Sequence, residues 1–206
     1  MAKAWEIIWE AFIDAWDAGL ELVMINVFWF VFSVLVITLP PAQAGLYYAT
    51  NQIAHREAIS WRTFFVGFRE YFWLSWRWTL LNLLVLIVIA ANYIFYGRFD
   101  AGWARVVQAL MPGLAGVWLA LQTFTFPLLL EQADRRQWVA LRNSAVLFVR
   151  FPLMGMTLLI VLLLFVAVSV LLQAPWLVLT AALNAFLANR VVVVALSELQ
   201  AESPAG

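Results

Sequence analysis

Four stretches of the chain carry no Lys, Arg, Asp or Glu: residues 22–54, 78–97, 106–130 and 151–189. A helix that faces water keeps one charged side along its length. Uncharged apolar runs of about 20 residues or more are solvated by lipid instead. The pattern therefore predicts membrane spans over 22–39, 78–96, 106–130, 152–172 and 176–194. Pro40-Pro41 closes the first, because neither proline continues a hydrogen-bonded helix interior. The run over 151–189 is too long for one crossing, and Gln173-Ala174-Pro175 divides it. Pro112 marks a kink near the start of the third span, and Pro127 lies near its other end. Six segments follow if 4–21 or 42–54 re-enters the membrane.

Between the spans the periodicity is amphipathic. Over residues 4–21, Trp5, Ile8, Trp9, Phe12, Trp16 and Leu20 share one helical face, and Glu6, Glu10, Asp14, Asp17 and Glu21 share another. A helix on the membrane surface and a helix packed on the protein's own spans both fit this stripe. Residues 42–57 and 60–77 read as two further amphipathic segments, with Ser60 as an N-cap. Residues 195–206 form a polar tail. The expected architecture is all-α: one integral membrane domain over 1–206, with five spans and amphipathic helices at the N-terminus and in the first and third loops.

Composition sharpens this. Only 12% of residues are charged and 66% are hydrophobic, against about 25% charged in a soluble domain. A net charge of zero gives nucleic acid no purchase. There is no cysteine, so disulfides, thiolate metal sites and thiol nucleophiles are excluded. Lys3 is followed by acidic residues rather than a signal-peptide core, so the first span is expected to stay in the chain. With five spans, Arg56, Arg62, Arg69, Arg77, Arg135, Arg136, Arg142, Arg150 and Arg190 fall on one side, and Lys3, Arg98 and Arg105 on the other. Cytoplasmic loops retain Lys and Arg. The expectation is a bacterial inner-membrane protein with its N-terminus outside and its C-terminus in the cytoplasm. Trp73, Trp76, Trp78, Trp103 and Trp176 stand at span boundaries, where indole rings anchor at headgroup level.

The order of elements hints at a repeat. A span, proline and a basic amphipathic stretch lead into the next span twice. The two stretches end alike, in Phe65-Val66-Gly67-Phe68-Arg69 and Leu147-Phe148-Val149-Arg150-Phe151.

The four uncharged stretches hold no Lys, Arg, Asp, Glu or His, so proton relays and acid–base catalysis have no seat there. Asn82, Asn92, Gln122 and Asn184 are the candidate intramembrane polar contacts, either joining helices or lining a polar path. His55 with Glu57 supplies too few ligands for a zinc site. No enzyme activity, cofactor or metal is expected. Arginine and aromatic residues instead mass in the first and third loops: Tyr47, Tyr48, Arg56, Arg62, Phe68, Arg69, Arg135, Arg136, Arg142 and Arg150. They suit lipid headgroups at an interfacial helix, and equally a protein partner, since Arg and aromatics dominate binding hot spots. Two functional readings follow: a non-catalytic accessory protein, and a small transporter or channel for a neutral solute.

The run Leu39-Pro40-Pro41-Ala42-Gln43-Ala44-Gly45-Leu46-Tyr47-Tyr48, followed by His55-Arg56-Glu57 and Phe64-Phe65-Val66-Gly67-Phe68-Arg69, resembles the YesL-like family of bacterial membrane proteins. Phe126-Pro127-Leu128-Leu129 leading to Ala140-Leu141-Arg142-Asn143-Ser144-Ala145 resembles the family's second hallmark, and 183–190 is similar to the end of its last span. The acidic N-terminal helix and the tail from Glu198 depart from that pattern. The resemblance implies a domain of unknown function associated with carbohydrate ABC importers, and so an accessory of sugar uptake with an importer as partner. The chain does not look like an importer permease, because Ile37-Thr38-Leu39-Pro40 precedes Glu57-Ala58.

Overall fold

In a computed structural model, residues 2–172 and 179–202 are described, and they form helices joined by short turns. In chain order these are α1 (Ala2–Asp17), α2 (Gly19–Ser33), α3 (Leu39–Ala54), α4 (Trp61–Glu70), α5 (Phe72–Tyr96), α6 (Gly102–Leu130), α7 (Gln137–Arg150), α8 (Pro152–Leu172) and α9 (Ala181–Glu202). α5, α6 and α9 are each long and apolar enough to cross a membrane. Two further segments qualify only as bent pairs: α1 with α2, at 83°, and α7 with α8, at 106°. The result is a polytopic helical bundle of three to five candidate spans. The expected turn at Gln173–Pro175, and Trp176 with it, lie outside the described residues. α9 continues to Glu202, so the first part of the polar tail is helical.

The expected span over 22–39 is replaced by a helical hairpin. α2 stops at Ser33, residues 34–38 turn, and Pro40-Pro41 lie in the first turn of α3 rather than ending α2. Proline is tolerated there because the first N–H groups of a helix have no acceptor within it. The turn Val34-Leu35-Val36-Ile37 is apolar and exposed, Val36 to 78%. Thr38 makes such a turn tenable: its hydroxyl donates to the carbonyls of Phe32 and Leu35, and its N–H to Leu35. These bonds satisfy carbonyls at the end of α2 that an apolar medium would leave bare. At about 1.5 Å per residue, each arm falls short of the roughly 30 Å hydrocarbon core.

α3 is a core helix, not the interfacial one its loop position implied. It packs on α2, α4, α5, α6 and α9. Ala42, Ala44, Gly45, Ala49 and Ala54 are buried along it, and small residues of this kind let helix backbones close in. Gly45 faces the Phe64 carbonyl of α4, while Gly67 of α4 faces the Cβ of Tyr48. α9 lies against α3 and buries Phe186, Leu187, Val191 and Val192. Fully buried Asn189 donates to the Tyr47 carbonyl and the Thr50 hydroxyl, both at 2.9 Å. The outer halves of α5 and α6 extend beyond this core, with Leu83, Leu84, Ile87 and Val88 more than half exposed.

The hairpin also changes the sidedness expected of the chain. Asp14 pairs with Arg190 at 2.9 Å and lies 3.8 Å from Arg56. Asp17 and Glu21 share one depression with Ile53, Arg56 and Glu57. The start of α2 and the end of α3 therefore lie at the same end of the bundle, whereas a single span over 22–39 would hold them apart. The charge pattern put the N-terminal segment on the side opposite Arg56 and Arg190, whereas these ion pairs put the end of α1 beside both.

The expected repeat began with a span over 22–39; the helices group differently. α3, α4 and α5 are followed by α6, α7 and α8, each triplet being a packed helix, a short amphipathic helix and an apolar helix. Arg56, directly after the C-cap of α3, is left-handed at φ 60°, and Arg135, directly before the N-cap of α7, is left-handed at φ 49°. At Arg56 that conformation closes α3, a place usually taken by glycine.

Candidate functional site

Six helices converge on a cavity of about 310 Å³ whose described lining is uncharged. α2 contributes Trp29, α3 Gln43 and Tyr47, α5 Trp78, α6 Gln122 and Thr123, α8 Leu162, and α9 Asn184. Neutral amides and hydroxyls share the wall with three aromatic rings.

The amides are oriented by indoles. Trp29 Nε1 donates to Gln43 Oε1 at 2.9 Å, and Trp78 Nε1 to Gln122 Oε1 at 2.9 Å. Trp118 Nε1 donates to Asn82 Oδ1 at 2.9 Å, and Asn82 in turn donates to the Trp78 carbonyl at 2.9 Å and approaches Gln122 Oε1 at 3.5 Å. An indole N–H only donates, so each amide must present its oxygen to the ring. That fixes Gln122 with its NH₂ turned the other way. Gln122 is 8% exposed, and its Nε2 has no partner; Asn184 Oδ1 is likewise buried and unpaired. Leaving such groups unpaired costs roughly 1–3 kcal/mol each. Two of the four candidate polar contacts thus line the cavity, and Asn82 supports it from behind. Asn92 does not belong to it: its amide bonds the Val88 carbonyl on its own helix. Trp78 is part of this network rather than a boundary anchor, while Trp73 and Trp103 do face outward.

The ten residues expected to form a docking surface are divided. Tyr47 lines the cavity. Tyr48 packs on Gly67 and Tyr71, and Phe68 lies among Phe32, Phe64 and Phe72. The arginines stay outside. Arg135 bonds Glu70 at 2.7 Å and caps the Tyr71 ring at 4.6 Å. Burial pushes the Tyr71 hydroxyl above its ordinary range, against the lowering effect of Arg135. Arg136 pairs with Asp134 at 3.3 Å. Arg56 reaches Asp14, as above, and Arg150 is exposed at the end of α7. Arg62, lying 5.3 Å from the Trp61 ring, is exposed, as are Arg69 and Arg142. Exposed Trp61, Trp73 and Trp138 stand near them in sequence on α4, α5 and α7. The hydrophobic period did not reveal that the loop aromatics turn inward, because α3 has neighbours on every side.

His55 meets Glu131 at 2.9 Å, and Asn51 donates to the same carboxylate at 2.7 Å. This ties the end of α3 to the end of α6. Among the described residues no group of three or more His, Cys, Asp or Glu is placed to hold a metal ion.

Comparison with known proteins gives one family. Residues 22–93 match the model for "Protein of unknown function, DUF624". No curated protein and no solved structure is significantly similar to the chain. The matched segment runs from the start of the α2–α3 hairpin through most of α5, and includes Trp29, Gln43, Tyr47 and Trp78. About a third of the chain is therefore similar to a domain whose function is not known, and that third includes most of α5, which is long and apolar enough to cross a membrane.

Proposed function

We propose that this chain is a non-catalytic, multi-pass protein of a bacterial cell membrane that docks a protein partner, and that it belongs with the YesL-like proteins. Their association with carbohydrate ABC importers makes an importer subunit the partner to test. The observation that carries the reading is the outer surface of α4 and α7. Arg62, Arg69 and Arg142 are exposed there, make no ion pair among the described residues, and have exposed tryptophans as neighbours. Arginine and tryptophan supply much of the energy at protein interfaces. The arginine-rich end faces the cytoplasm in this reading, following the retention of positive charge there. Because Asp14 pairs with Arg56 and Arg190, the N-terminal helix shares that side.

The competing use of the same arginines is lipid phosphate. Photo-crosslinking from position 62 or 142 in native membranes, followed by mild-detergent purification and mass spectrometry, separates the two. An importer subunit should be captured, and the triple variant Arg62→Ala, Arg69→Ala, Arg142→Ala should lose it while its thermal midpoint stays unchanged. Recovery of the chain with lipid alone refutes the proposal. So does capture that the triple variant leaves intact.

A further inference from the structure

We infer that the corner between α1 and α2 holds one molecule of phosphatidylethanolamine, with an acyl chain in an apolar groove and the ammonium among carboxylates at the groove's mouth. The site stands apart from partner docking, since Arg62, Arg69 and Arg142 take no part in it.

The groove comes from the bend. α1 meets α2 at 83°, and α8 and α9 pack against α1 to close the angle. Phe12, Trp16, Leu20 and Val23 line one wall of the resulting space, and Phe165 and Leu183 the other; its volume is about 580 Å³. Ligand pockets run from about 300 to 1,000 Å³. The space follows α2 inward, because the Ala182 N–H donates to Asn26 Oδ1 at 2.9 Å and so sets the start of α9 beside the middle of α2. α1 is amphipathic, and α2 carries no charge beyond Glu21. The corner between two such helices falls where headgroups meet acyl chains. A chain laid in the groove covers Trp16 and Leu20, both largely exposed.

The mouth of the groove chooses the headgroup. Asp17 lines both the groove and the adjoining depression of about 540 Å³, which carries Asp14, Asp17, Glu21 and Glu57 against a single guanidinium, Arg56. Asp14 is engaged by Arg190. Asp17, Glu21 and Glu57 are exposed and make no ion pair among the described residues. An anionic headgroup is repelled by these carboxylates. A trimethylammonium brings charge but no N–H, whereas a primary ammonium brings three donors, as lysine does. Hydrogen bonds between charged groups are the strong ones. Arg56, only 3.8 Å from Asp14 and otherwise exposed, is at hand for the phosphate two carbons away. Water would fill the depression and leave the groove bare. Hydrocarbon alone would fill the groove and leave the carboxylates without a cation.

The test is native mass spectrometry of the purified full chain in detergent. It is titrated with dioleoyl phosphatidylethanolamine and, separately, with phosphatidylcholine and phosphatidylglycerol bearing the same chains. One phosphatidylethanolamine should bind at least about fivefold more tightly than either comparator, a ratio of the size that two exposed ion pairs give. The triple variant Asp17→Asn, Glu21→Gln, Glu57→Gln should bring it down to the level of phosphatidylcholine. Val23→Trp, which fills the groove, should weaken both zwitterionic lipids by a similar factor. Thermal unfolding checks that the variants fold; if neither does, the wild-type comparison decides. Phosphatidylethanolamine bound no more tightly than phosphatidylcholine overturns the inference, as does phosphatidylglycerol bound equally well. A preference that survives the triple variant overturns it too, because the carboxylates would not be its source. So does unchanged binding in Val23→Trp.

Discussion

Replacing Gly67 with alanine should destabilise the protein, although alanine is the better helix former. A Cβ at Gly67 would stand 2.4 Å from the Cβ of Tyr48 and 2.8 Å from its Cγ. Carbon atoms pack at about 3.5–4.0 Å, so the overlap exceeds 1 Å. The Tyr48 Cβ belongs to the stem of a side chain on α3, so rotating the ring cannot relieve the contact. α4 would have to lift from α3. That movement would loosen Phe64, Phe65 and Phe68, which pack around Phe28 and Phe32. Overpacking of this kind costs roughly 1–3 kcal/mol, against about 1 kcal/mol gained in helix propensity. The net loss at the upper part of that range is about 1–2 kcal/mol. For a chain of this size it lowers the thermal midpoint by about 2–8 °C. The assay is thermal unfolding in one detergent, followed by circular dichroism. Gly113→Ala is the control: nothing lies within 4 Å of its Cβ position, and its midpoint should hold or rise. A Gly67→Ala midpoint at or above wild type would refute the close packing of α3 on α4.

Three further outcomes follow. Thr38→Val keeps the side-chain shape but removes both hydroxyl bonds at the hairpin turn, and should cost about 1–2 kcal/mol in the same unfolding assay; unchanged stability would contradict the role given to Thr38. Asn189→Leu severs α9 from the Tyr47 carbonyl and the Thr50 hydroxyl, with an expected loss of about 1 kcal/mol, typical of such bonds between membrane helices. A midpoint equal to wild type would place the α3–α9 contact in packing alone. Because the chain has no cysteine, single thiols report sidedness directly: Asp17→Cys and Glu57→Cys should react with a membrane-impermeant maleimide from the same side. Labelling from opposite sides would break the hairpin assignment.

The sequence by itself determined the solvent of this protein. Absence of charge over 78–97 or 106–130 is a local property, and lipid is the only medium that rewards it; α5 and α6 follow at nearly the expected bounds. Ser60 was also legible, because capping depends on near neighbours: it stands at the N-cap of α4, and its N–H donates to the Thr63 hydroxyl at 3.2 Å. The turn at 34–38 was not. Val34-Leu35-Val36-Ile37 holds none of the Gly, Asn or Asp that usually mark a reversal, and what closes it is a single threonine hydroxyl reaching back to α2. Pro40-Pro41 gave a true signal of a helix boundary but not its direction, since proline suits a first turn as well as it ends a helix. Tertiary structure alone decided the rest. Tyr47 and Gln43 read as loop residues until five helices closed around α3. Trp78, Gln122 and Asn184 lie far apart along the chain. Only the crossing of α5, α6 and α9 turns them into one wall of an uncharged space.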